Sequence, residues 1–134
     1  FTGNGGSITG SGVMIYMQDG GFDLGGNSLV ALAAEANSGV LVDPSHNDWQ
    51  GMLVYADPTN TNAVKLNGNT GTTYTGTFYA ASADCTINGT GDNIGLLGTQ
   101  IICDTVKITG TAQVNIDYSQ SQAYSLPPAI DLAR

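Results

Sequence analysis

The side chains able to do chemistry are few, and nearly all of them are carboxylates, amides or thiols. Asp57, Asp84 and Asp104 close three successive runs of β-forming residues, and a pair of carboxylates on one exposed face is what acid/base cleavage of a glycan requires. A lyase acting on uronates needs cations as well, and the chain offers only Lys65, Lys107 and Arg134. An aspartate at a strand end also accepts hydrogen bonds from a turn or simply faces water, so the expectation is that the chain is not an enzyme. No nucleophile elbow, phosphate-binding loop or histidine-based triad occurs.

Metal chemistry is similarly limited. Asp57, Asn60 and Asn62, in the run Asp-Pro-Thr-Asn-Thr-Asn at 57–62, are oxygen donors suited to calcium, and Asp92 with Asn93 is a second such group. Neither follows an EF-hand or the nonapeptide calcium repeat, so the expectation is no cofactor, with calcium the ion these residues would take. His46 with Cys85 and Cys103 falls short of four zinc ligands. The two cysteines form a bridge if Cys103 ends one face of the fold and Cys85 begins another, because their Cα atoms must come within about 7 Å; two buried thiols are the alternative. Trp49, close to His46, is either part of a sugar-stacking patch or an apolar cover. Asn88 heads a formal glycosylation sequon in a segment where Asn-Gly already has a turn role.

The elements that must position these residues are written as repeats. Lys-Leu-Asn-Gly-Asn at 65–69, Thr-Ile-Asn-Gly-Thr at 86–90 and Lys-Ile-Thr-Gly-Thr at 107–111 place Leu66, Ile87 and Ile108 at intervals of 21. A second phrase, glycine followed by a β-rich run, occurs at 51–57, 76–81 and 98–104, with an earlier copy at 12–19. Short strands cannot bury an apolar face alone, but stacked copies share a core and a backbone ladder. The spacing predicts an all-β fold, a short right-handed parallel β-solenoid of about four coils over 1–118, with two strands per coil and Asn-Gly or Thr-Gly corners. Residues 28–50 are an insert, in which 28–36 fits a helix or a strand. Residues 1–7 read as a flexible, uncharged lead-in.

Past Tyr118 the pattern changes to a polar stretch and then Leu-Pro-Pro-Ala-Ile-Asp-Leu at 126–132, where the prolines impose extended backbone. The tail 119–134 is expected to cap the solenoid or to serve as an inter-subunit arm through Leu126, Ile130 and Leu132.

At 134 residues the chain is one domain, and a net charge of −8 disfavours a nucleic-acid partner and anionic membranes. No apolar run is long enough to span a bilayer. Ten of the eleven acids are Asp and Lys is scarce, a composition that points to secreted or surface material. The start at Phe1 is expected to reflect processing of a longer precursor.

The succession of phrases at 12–17, 51–57, 74–81, 99–106 and 108–110 resembles the C-terminal region of TadE/TadG-like pilus-assembly surface proteins, with Ala81 where proline is usual and without the N-terminal membrane helix of that family. The resemblance implies an exported, pilus- or surface-associated structural domain and supplies no catalytic residues. Together these readings predict an extracellular filament subunit whose partners are copies of itself. A monomeric adhesion or carbohydrate-binding module, with surface glycans as partners, is the alternative, and a glycan-active β-helix enzyme stands behind both.

Overall fold

A computed structural model describes residues 1–25, 28–36, 49–68, 71–89, 94–111, 114–119 and 124. Ten strands follow one another: β1 (Thr2–Asn4), β2 (Ser7–Ser11), β3 (Ile15–Met17), β4 (Phe22–Gly25), β5 (Leu29–Ala33), β6 (Met52–Ala56), β7 (Val64–Gly68), β8 (Thr73–Gly89), β9 (Ile94–Gly110) and β10 (Val114–Asp117). Every strand pairing among the described residues is parallel, and with no helix among those residues the arrangement is a solenoid.

Each coil has three faces, where sequence reasoning expected two strands. The first face stacks β1, β4, β7, residues 85–89 of β8 and residues 106–110 of β9. The second stacks β2, β5, residues 73–75 of β8, the start of β9 and β10. The third stacks β3, β6, residues 77–80 of β8 and residues 99–103 of β9. Among the described residues four coils have all three faces, and a fifth has its first two. The second face escaped notice because its members, such as Ser-Ile-Thr-Gly-Ser in β2 and Val-Asn-Ile-Asp in β10, share a period of two and no common phrase.

The 21-residue spacing is a true stacking register: Leu66 lies opposite Ile87 and Ile87 opposite Ile108. Residues 29–33, assigned from sequence to the insert, instead supply β5, paired with β2 below and β8 above. Val30 and Leu32 point into the core, a two-residue alternation that resolves the helix-or-strand ambiguity. The excursion therefore begins after β5, and its two ends are tied together where Gly51 N donates to Glu35 O at 2.7 Å.

Residues 1–7 are likewise part of the fold. Phe1 O accepts from Asp23 N, the terminal ammonium donates to Gly21 O, and the Phe1 ring stacks on Phe22. The glycines that open the second phrase, Gly12, Gly51, Gly76 and Gly98, all have positive φ at the corner entering the third face, a conformation that L side chains resist. Of the three repeated pairs at 67–68, 88–89 and 109–110, only Gly110 has positive φ, while Gly68 and Gly89 end strands in extended backbone; Gly5 after Asn4 and Gly76 after Thr75 do have the expected positive φ.

Rows of inward side chains run along the axis and form the core. One comprises Leu24, Leu66 and Ile87, another Phe22, Val64 and Cys85, and Tyr74 and Phe78 pack edge to face between them. The Tyr74 hydroxyl donates to Asn67 O at 3.2 Å, and burial, with a smaller contribution from the charge of Asp23, raises its pKa well above the usual tyrosine value. Each fully buried Leu, Ile or Phe contributes about 1.5–3 kcal/mol.

Candidate functional site

The corner between the third and first faces gathers most of the residues singled out for chemistry. Asp19, Asp57, Asp84 and Asp104 occupy this corner in successive coils, after β3, after β6, within β8 and within β9. The widest of these corners, residues 57–63, borders a shallow polar cavity of about 470 Å³ lined by Gln18, Asp19, Asp57, Thr59, Asn60, Thr61 and Asn62. The three residues proposed from sequence as calcium ligands thus do come together, and Asp19 from the coil below joins them.

The hydrogen bonds show what these groups do. Asp57 Oδ1 accepts from Thr59 N at 2.9 Å and from Thr59 Oγ1 at 2.6 Å, and Asp57 Oδ2 accepts from the Tyr16 hydroxyl at 3.2 Å. Those bonds, led by the Thr59 hydroxyl, hold the carboxyl below the usual range, so it is a poor general acid near neutral pH. Asn60 is buried, and its Nδ2 donates to Met17 O and Gly20 O, sewing this corner to the one beneath it. Its Oδ1 accepts from Asn62 N and Asn62 Nδ2, the latter also donating to Asp19 Oδ1. Asp84 accepts from the Thr105 hydroxyl of the next coil. Among the described residues, no group of three His, Cys, Asp or Glu is placed to hold a metal, and no buried side-chain nitrogen or oxygen lacks a partner. The corner's polar atoms hold successive coils in register.

Cys85 and Cys103 are bonded, with Cα atoms 6.1 Å apart. Cys85 begins the first face of the fourth coil and Cys103 ends its third face, so the bridge closes that coil into a ring. The offset of 18, less than one full period, is what this geometry requires.

Sequence reasoning missed an aromatic column on the outside of the third face. Tyr16, Tyr55 and Tyr79 share one register, with centroids 6.0 and 5.2 Å apart and planes nearly parallel, and Ile102 follows them. Trp49, returning from the insert, packs edge-on against Tyr55 at 5.1 Å. Part of its signal was present in the sequence, since Tyr16 and Tyr55 both stand four residues after the glycine that opens the phrase; Tyr79 stands three after Gly76, a difference absorbed by the register shift between Met52 and Val54. Sugar stacking needs a free ring face, and Tyr55 has a tyrosine against each of its faces.

The C-terminal end of the core presents a different kind of surface. In the fifth coil the core rows continue as Val106, Ile108 and Ile116, and these side chains are 51%, 60% and 54% exposed. In the coils beneath, Cys85, Ile87 and Tyr74 of those rows are buried. His46, Asp92, Asn93, Thr90 of the sequon and the arm residues Leu126, Ile130 and Leu132 lie outside the described residues. No helix among the described residues is long and apolar enough to cross a membrane. Comparison of the chain with protein families, with curated proteins and with solved structures finds no match.

Proposed function

We propose that this chain is a non-catalytic structural subunit that works outside the cytoplasm and associates with copies of itself in a surface filament or pilus-like assembly. The observation that carries the reading is the open end of the core, where three large apolar side chains in core rows are more than half exposed beside strand edges that have no partner among the described residues. The Cys85–Cys103 bridge supports an oxidising location. The resemblance to TadE/TadG-like surface proteins points the same way. The polar corner supports a structural rather than a catalytic role, because Asp19, Asp57 and Asp84 each accept a hydrogen bond from a neighbouring coil.

Sedimentation velocity and electron microscopy over a rising concentration series test this. Concentration-dependent, elongated assemblies are expected, and a monodisperse monomer across the whole series overturns the reading.

A further inference from the structure

We propose that the open C-terminal end seats coil 1 of a second copy, head to tail, with strands parallel and in the register of the intramolecular ladder. This rests on the self-association proposed above and adds its polarity and its register. Among the described residues, β1, β2 and β3 pair only upward along the axis, while β10 and residues 106–110 pair only downward. The two ends are turns of one solenoid, so they share strand order, strand sense and cross-section. Stacking one on the other continues the parallel ladder, whereas a two-fold related pair of C-terminal ends would set the strands antiparallel.

The side chains in the rows complement each other in the same arrangement. The row that reaches Ile108 through Leu24, Leu66 and Ile87 begins at Gly3, and the row that reaches Ile116 through Leu32, Tyr74 and Leu96 begins at Gly10. The two protruding isoleucines of one copy therefore meet the two core-row positions of the next that lack a side chain. End-to-end contact between two C-terminal ends would instead crowd isoleucines together. Coil 1 is also levelled from within: a Cβ on Gly3 would lie 3.1 Å from the Ile8 and Leu24 side chains, and one on Gly10 would lie 2.7 Å from Val13. On the outside of the first face, Lys107 comes opposite Thr2 and Thr109 opposite Asn4, so no like charges meet. Tyr124, the one described residue beyond Ser119, donates its N–H to Thr77 Oγ1, two coils below the open end.

Thiol-selective crosslinking reads both polarity and register. Thr2→Cys and Lys107→Cys, both at exposed outward positions, are purified with the native disulfide intact, mixed, and treated with a short bismaleimide. The expected dominant product joins residue 2 of one copy to residue 107 of another, and adding excess Ile108→Asp protein, which keeps its coil 1 but cannot extend a chain, shortens the assemblies. Dominant 107-to-107 or 2-to-2 products, or assemblies by sedimentation with no 2-to-107 product, overturn the head-to-tail arrangement and leave self-association standing. Monomers with no crosslink overturn both.

Discussion

At the N-terminal end of the solenoid the core rows carry Gly3 and Gly10, the Ile8 and Val13 side chains fill the places those glycines vacate, and Phe1 lies against Phe22. At the C-terminal end the same rows carry Ile108 and Ile116, both largely exposed. One end is closed by deleting side chains so that neighbours fold inward, and the other is left as the repeat would continue. A stacked fold buries each coil with the next, so the difference separates the coils that hold the core closed from the one that leaves core rows exposed. The interior coils stabilise the molecule, and the last coil carries the exposed side chains on which the proposed association rests.

The sharpest way to break this comparison is to place one substitution at two heights of a single row. Ile87→Asp puts a charge into the closed core and is expected to cost more than about 4 kcal/mol, enough to unfold the domain, as a lost thermal transition would show. A soluble, folded Ile87→Asp protein would overturn the register. Ile108→Asp, one coil higher, is expected to change stability by no more than about 0.5 kcal/mol while abolishing association, read by thermal melting beside sedimentation.

Removing the bridge with Cys85→Ser and Cys103→Ser together is expected to cost about 3 kcal/mol, because the closed loop is of the length for which chain entropy gives that value. Hydrogen exchange should rise first in coils 4 and 5 and leave coils 1 to 3 protected; uniform loss of protection would show that the ends are not independent. At the closed end, Gly10→Val drives a side chain into Val13 and is expected to cost about 1–3 kcal/mol by overpacking. An unchanged melting temperature would mean that the N-terminal cap is loose.

The smallest effects concern titration. The folded pKa of Tyr74 is raised above 10.0, so the unfolded chain ionises first. Its contribution is whole below pH 10 and is lost as pH rises from there through the folded value. Tyr74→Phe should flatten that alkaline decline in a pH series of denaturant melts. Asp57 has the opposite sign: its lowered pKa contributes above the ordinary carboxylate value of 3.8 and is lost as pH falls through the folded one. Asp57→Asn should remove that acid-side dependence and leave association unchanged. Asp84→Asn is expected to leave any polysaccharide handling untouched, and a large loss of such activity would return the enzyme reading.

Sequence alone determined the solenoid, because Leu66, Ile87 and Ile108 recur at the spacing that stacking demands and no helical phrase interrupts them. It also determined the third face, whose glycine-led phrase records a corner that needs positive φ. The second face was hidden, since a half-buried strand only has to alternate and Ser-Ile-Thr-Gly-Ser shares no words with Leu-Val-Ala-Leu-Ala. Tertiary structure alone decided the state of Cys85 and Cys103, for their separation along the chain was compatible with a bridge or with two thiols until the coil closed around them. It also decided the use of Asp57, Asn60 and Asn62, whose oxygens and amides suit an ion in isolation but become crosslinks once Met17, Asp19 and Gly20 of the coil below are brought within reach. Composition cannot distinguish a buried isoleucine from an exposed one in the same row. Only the stacking order decides that Ile87 has a coil above it and that Ile108 does not among the described residues.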